Sequence, residues 1–386
     1  MRAVMTVLAV WCAGLGAAAQ FGKISVLYDG LADQYAGASP VALGLIVSVV
    51  GLVGLVFGTT AGLFVARIGP RRAIVAALLM GAAMSALQAL GLSYPVMMAS
   101  RVVEGVSHLA IVVVGPTLIA GMAAERFRAL AMTLWSSFFG VTYAVLALLA
   151  PALMAEYGAA GVFVAHAGWM VAIGGCLALL LPPDPAAPQA VRHSLVRQHL
   201  AIYTSPRLSA PALGFFCYTF LYVAVLTLLP PEVPVAQRAV AAAGMPLISI
   251  ALSLTLGVWL LGRMPAVRLV QWGYLVAVPG FVGLALFWGQ GVGMVLSALW
   301  VAAALGIVQG ASFASIPELN ATPEDRAQAA GAIAQLGNLG TTTGTPVLAA
   351  LLTGAGPWGL GLVAVLACGL GIALHSVQAR RRARGI

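Results

Sequence analysis

Apolar stretches of about 20 residues follow one another along this whole chain, separated by short loops rich in arginine. A helix of that length, rising 1.5 Å per residue, crosses the hydrocarbon core of a bilayer. Only 8% of the 386 residues are charged and 62% are hydrophobic. A soluble domain carries roughly 25% charged residues, so a water-soluble fold of this size could not cover its surface. Lipid offers the backbone no hydrogen bonds, which leaves helices or a closed barrel. Barrel strands alternate apolar and polar residues, whereas these runs are continuous. The expected fold is an all-α membrane protein.

The pattern predicts about twelve transmembrane helices. In the first half they lie at 4–28, 41–63, 72–92, 95–121, 129–153 and 159–181. In the second they lie at 208–229, 236–261, 269–288, 291–316, 327–353 and 355–377. The first twenty residues imitate a secretion signal, with Arg2 followed by an apolar run and Ala17-Ala18-Ala19. The run continues to about Leu27, however, and its removal would leave an odd number of spans, so it is read as the first span.

With the N-terminus placed in the cytoplasm, the inside segments hold Arg2; Arg67, Arg71 and Arg72; Arg126 and Arg128; Arg192, Arg197 and Arg207; Arg263 and Arg268; Arg326; and Arg380, Arg381, Arg382 and Arg384. The outside loops hold only Arg238, while Lys23 and Arg101 fall within spans. This asymmetry sets both termini inside. It also accounts for the net charge of +9 without any nucleic-acid partner.

Residues 182–207, opening Pro182-Pro183-Asp184-Pro185 and carrying His193, Arg197 and His199, form the longest polar stretch. They divide the chain into a six-helix bundle at 1–181, a cytoplasmic linker at 182–207, and a second bundle at 208–386 that ends in a short basic tail. The halves read as repeats. Arg67 and Arg72 after span two have the spacing of Arg263 and Arg268 after span eight. Glu125-Arg126-Phe127-Arg128-Ala129 before span five loosely matches Pro323-Glu324-Asp325-Arg326-Ala327 before span eleven.

The loop Gly62-Leu63-Phe64-Val65-Ala66-Arg67-Ile68-Gly69-Pro70-Arg71-Arg72 resembles the signature between helices two and three of the major facilitator superfamily. That pattern is Gly, three residues, Asp, Arg, any residue, Gly and two basic residues. Gly62, Arg67, Gly69, Arg71 and Arg72 carry the match; Ala66 stands in place of the Asp, and Pro70 shifts the basic pair. Arg101-Val102-Val103-Glu104-Gly105 resembles the family's helix-four motif, an Arg with Gly four residues later. The resemblance implies two pseudo-symmetric six-helix bundles, a gating role for the loop, and a central cavity lined by helices one, four, seven and ten.

Charged groups at membrane depth are costly and mark function by default. Span four carries Arg101, Glu104 and His108, which fall on one helical face. Read functionally, Arg101 holds an anion while Glu104 or His108 takes up a proton. Read structurally, Arg101 and Glu104 are a self-neutralising pair. Span one offers Gln20 and Lys23 on the face of Gly16; Lys23 meets a substrate carboxylate or snorkels to the interface. The second half supplies neutral polarity as candidate substrate lining. It comprises Tyr218 and Tyr222 on span seven, Gln309 on span ten, and Gln335 and Asn338 on span eleven.

Cys12, Cys176, Cys217 and Cys368 all sit within apolar runs, so no metal or cofactor is expected. The phosphate-loop pattern Gly-x-x-x-x-Gly-Lys-Ser/Thr does not occur. His108, His166, His193, His199 and His375 are scattered over different segments, which argues against a membrane enzyme. The expectation is a monomeric secondary transporter in a bacterial inner membrane, working by alternating access. Its substrate is expected to be a small organic anion such as a monocarboxylate, moved with a proton. The alternative is proton-coupled efflux of amphipathic drugs, which needs an unpaired acid in an apolar cavity; Glu104 would serve if free of Arg101.

Overall fold

A computed structural model describes residues 2–122, 124, 131, 134–184 and 195–385. Glu125, Arg126, Phe127, Arg128, Ala129, Pro185, Arg192 and His193, named above, lie outside the described residues. The chain divides into two compact units, one of residues 1–38 and 49–192, the other of residues 39–48 and 193–386.

The first unit is built from α1 (Arg2–Val26), a short α2 (Tyr28–Gln34), and further helices beyond a segment that belongs to the second unit. That segment is α3 (Pro40–Ser48). The first unit resumes with α4 (Leu52–Phe57), α5 (Ala61–Ile68), α6 (Pro70–Gln88), α7 (Tyr94–Met122) and α8 (Phe138–Leu180). The second unit adds α9 (Leu195–Thr204), α10 (Ser209–Glu232), α11 (Val235–Leu252) and α12 (Val258–Leu261). It closes with α13 (Ala266–Leu286), α14 (Val292–Leu319) and α15 (Pro323–Ala383).

Among the described residues, 10 helical stretches are long and apolar enough to cross a membrane. Two of them hold two passes each. A straight helix of 43 residues like α8 would run about 65 Å, twice the hydrocarbon thickness. Its backbone leaves helical geometry at Gly158, with φ 65° and ψ −167°. Thr142 before this point donates to Leu15 O (3.1 Å) and Trp169 beyond it donates to Cys12 O (3.0 Å), both on α1. The chain therefore reverses at Gly158. In α15, Gly356 adopts φ 65° and ψ −164°. Gly340 before it packs on Phe216, and Gln378 after it reaches Ser209, both on α10. The surroundings repeat as well: Gly161 lies against Tyr157 and Leu153 O, and Gly359 against Ala355 and Leu351 O. These paired reversals give about twelve passes, and they carry the internal repeat further than the loop arginines did.

Two expected spans are not uniform helices. Span two is α3, a 3₁₀ turn at Val49–Gly51 and α4, where Gly51, Gly54 and Gly58 weaken the helix. Span eight carries a π turn at Ser253–Gly257 between α11 and α12, with the Thr255 hydroxyl bonded to Ala251 O (2.6 Å).

Between helices in lipid, packing replaces the hydrophobic effect, and small residues allow close approach. The core of the first unit follows this rule. Val10, Ala13, Ala17 and Ala18 of α1 meet Ile74 and Leu78 of α6, Ile111 and Val114 of α7, and Met170 and Leu177 of α8. Gly16 lies against the Met170 sulfur, and Gly105 of α7 against Val50 O.

The arginine loop is tied down inside the first unit. Gly69 has φ 94°, a conformation suited to glycine, and Pro70 begins α6. The Asp184 carboxylate accepts from the backbone N–H groups of Arg71 (2.8 Å) and Arg72 (3.0 Å), and the Arg71 guanidinium donates to Ala178 O (2.6 Å). An anion at a helix N-terminus satisfies orphan donors and the helix dipole. In the second unit, Glu318 accepts from Ala266 N (2.7 Å) at the start of α13. Asp184→Ala is expected to cost about 1 kcal/mol, measured as a lowered melting temperature in detergent, with Asp184→Asn closer to wild type. Equal melting of Asp184→Ala and wild type would refute the cap.

Candidate functional site: a buried charge cluster in the first unit

Four helices of the first unit bring their polar residues to one place. Lys23 and Gln20 come from α1, Ser85 and Gln88 from α6, Arg101 and Glu104 from α7, and His166 from α8. Lys23, Arg101 and Glu104 have no solvent exposure at all, so the expected alternative of a snorkelling lysine does not hold.

Lys23 has three donor hydrogens and three acceptors within reach. Its Nζ lies 2.5 Å from Glu104 Oε1, 2.9 Å from Ser85 Oγ and 3.4 Å from His166 Nδ1. The other carboxylate oxygen, Glu104 Oε2, takes an ion pair from Arg101 and a hydrogen bond from Gln88 Nε2 at 3.0 Å. Gln88 also donates to Ser100 Oγ at 3.1 Å. Glu104 is thus clamped between two cations from different helices. With His166 neutral, the cluster holds two positive charges against one negative.

The tautomer of His166 follows from its partners. Nε2 lies 3.0 Å from Gly16 O, and a carbonyl only accepts, so Nε2 carries the hydrogen. In the neutral ring Nδ1 is then an acceptor turned toward Lys23. The Ser85 hydroxyl, 2.9 Å from Nδ1, gives its hydrogen to Phe163 O at 3.0 Å. The Phe163 ring also lies 5.4 Å from Lys23 Nζ, a cation–π distance.

The remaining expected residues fall as follows. Gln20 Nε2 donates to Ser107 Oγ (2.9 Å), while its buried Oε1 has no partner among the described residues. His108 sits one turn beyond Glu104 but bonds elsewhere, with Nδ1 at 3.0 Å from Ala17 O and its ring edge-on to Phe21. In the second unit, Tyr218 and Tyr222 stack at 5.0 Å between centroids. Asn338 Nδ2 is engaged with Ala334 O of its own helix at 2.7 Å. Gln335 Oε1 accepts from Tyr203 of α9 at 2.7 Å. Burial pushes the Tyr203 phenol up to about 12, so it remains a donor at neutral pH. Gln309 is partly exposed on α14. Of the loop residues, Gly62 and Arg67 lie on α5, and Arg67 is exposed.

Sequence reasoning missed His166, Ser85 and Gln88. The available signal was an isolated polar residue deep in an apolar span, which marks a bundle-facing position.

A helical membrane protein with a reversed pair of passes in each unit and buried charges on its first and fourth spans has the build of a secondary transporter. The model of the Major Facilitator Superfamily matches residues 6–345, and the chain belongs to that family. The inner membrane transport protein YajR of Escherichia coli (strain K12) is 28% identical over 202 residues, which is 51% of this chain and 43% of that relative. The matched stretch is thus about half of this chain and less than half of the relative. A crystal structure of the fucose:proton symporter FucP of E. coli shares the fold, with a TM-score of 0.70 and 15% identity, covering 97% of this chain and 98% of that one.

Proposed function

We propose that this transporter moves a small organic anion, such as a monocarboxylate, together with a proton across a bacterial inner membrane, both termini facing the cytoplasm. The observation that carries this reading is the convergence of Lys23 and Arg101 on the single carboxylate of Glu104, with all three fully buried. A buried cation needs an anionic partner. When Glu104 takes a proton, both cations stay charged but lose their anionic partner, and the cluster gains one positive charge. A substrate carboxylate entering between Lys23 and Arg101 restores the original balance. Proton and monoanion therefore bind together at lower cost than either alone. The build of FucP, a proton symporter, is compatible with this, although likeness at 15% identity speaks for the fold only. Drug efflux through an unpaired acid is less well supported, because Glu104 is held by two cations.

In proteoliposomes, labelled lactate is expected to undergo counterflow that Lys23→Ala abolishes. Accumulation of a cationic dye without lactate exchange, lost in Glu104→Gln and kept in Lys23→Ala, would replace the anion reading with efflux.

A further inference from the structure

The structure assigns a proton-relay role to His166, through Lys23 to Glu104. The inference rests on the reading of this cluster as a proton-coupled anion site, and it deepens that reading by naming the route of the proton.

The argument is geometric. His166 Nε2 is fixed as a donor to Gly16 O at 3.0 Å, which leaves Nδ1 as the one ring atom that can gain a proton. Nδ1 points into the cluster, 3.4 Å from Lys23 Nζ and 2.9 Å from Ser85 Oγ. In the neutral state Ser85 directs its hydrogen to Phe163 O, so the contact with Nδ1 has no hydrogen between its atoms. Protonation at Nδ1 fills that gap at once, because the new N–H donates to the Ser85 oxygen. The site thus has an acceptor in position for a hydrogen that the resting ring does not carry. His108 lacks this arrangement: its Nδ1 is at 3.0 Å from Ala17 O, and no hydrogen bond joins it to Lys23 or Glu104 among those described.

The transfer balances. Lys23 Nζ passes one of its three protons to Glu104 Oε1, 2.5 Å away, breaking N–H and forming O–H. Nζ then takes the Nδ1 proton of His166, and its ammonium is restored. The sum is one proton moved from imidazolium to carboxylate, with Lys23 unchanged. The charged groups facing His166 are Lys23 from α1 and Glu104 with Arg101 from α7, while α6 presents only the neutral Ser85 and Gln88. Lys23 and Arg101 oppose a proton resting on His166 and hold Glu104 ionised as well, so the proton passes through His166 and settles on Glu104 only as a substrate anion enters to balance it, which is the behaviour of a relay and not of a store.

Two variants and one spectroscopic readout test this. His166→Asn keeps a polar group near the Nδ1 position and His166→Gln keeps one near Nε2, and neither titrates. Both are expected to lower lactate counterflow, an exchange that needs no net proton movement, much less than they lower driven uptake. Both are expected to lose lactate uptake driven by a pH gradient, by about a hundredfold. ¹⁵N-histidine NMR of the purified protein supplies the arm that needs no substrate. The His166 ring is expected to rest neutral at pH 7 with its hydrogen on Nε2, and to take a second proton at Nδ1 only on acidification, with a midpoint that moves in Glu104→Gln. Gradient-driven uptake with the wild-type pH profile in either variant would overturn the relay, and so would counterflow and driven uptake falling together in both. If wild-type protein moves no lactate, the substrate reading fails and the NMR arm decides alone: a coupled titration keeps the relay, and a pH-independent His166 removes it.

Discussion

Replacing Glu104 by leucine is expected to lower the melting temperature far more than replacing Lys23 by methionine, which is expected to leave a folded transporter. The two residues form the same 2.5 Å ion pair, so a simple tally of lost contacts would give them equal weight. Charge balance separates them. Without Lys23, Arg101 and Glu104 remain as a neutral pair, and methionine fills the volume of the lysine stem. Without Glu104, two fully buried cations face each other with no anion. Removing one partner of a buried pair costs about 3–5 kcal/mol because of the charge left behind, and here two charges are left. Glu104→Gln falls between, since its amide oxygen still accepts from one of the two cations. The double variant Glu104→Leu with Lys23→Met retains one buried cation, Arg101, and is expected to recover part of the loss, a coupling that a double-mutant cycle measures directly. The readout is thermal stability in detergent followed by size-exclusion chromatography. Equal destabilisation by the two single variants, or a larger loss from Lys23→Met, would refute the charge argument.

Much of this architecture was legible because the bilayer imposes a simple code. Continuous apolar runs gave the passes. The boundary expected between spans five and six, at 153–159, brackets the reversal at Gly158, and that between spans eleven and twelve meets Gly356. Arg101, Glu104 and Lys23 announced themselves as charges at membrane depth. Their mutual contact was not legible: helical periodicity places Arg101 and Glu104 on one face but says nothing about how α1 is turned toward α7. For the same reason His166 and Ser85 were not read as site residues. A histidine or serine within an apolar span reads as an isolated event until packing shows which neighbour it meets. Gln335 illustrates the converse. Its position on span eleven suggested substrate lining, yet its side chain is bonded to Tyr203 of the linker helix, a partner that no periodicity within span eleven encodes. The broken helix of span two also lay beyond hydropathy, which registers the apolar character of its glycines' neighbours and not the weakness of the helix.

Gly344→Ala is expected to destabilise the second unit by about 2 kcal/mol, the largest effect among the glycines that α15 presents to α10. In α15, Gly337, Gly340 and Gly344 lie along one face against α10. A Cβ at Gly337 would meet the Phe215 ring at 3.0 Å, a side chain that can shift. At Gly340 it would run into Thr219 Oγ1 and meet Phe216 O at 2.5 Å. At Gly344 it would run into Phe220 O, with Phe220 C at 2.8 Å and Cα at 3.0 Å. Backbone atoms have no rotamer to change, so the helices themselves must separate, and the contacts that lipid cannot replace are lost along the whole seam. Alanine's better helix propensity, worth about 1 kcal/mol over glycine, offsets only part of this. The expected order of damage is therefore Gly344, then Gly340, then Gly337. Gly369 provides the control: nothing lies within 4 Å of a Cβ there, so Gly369→Ala keeps the propensity gain and adds no clash. Melting curves for the four variants in one detergent test the order. Wild-type stability for Gly344→Ala would mean that α10 and α15 are not locked at this distance, and lactate counterflow in the same protein would then report whether the transport cycle needs the close contact.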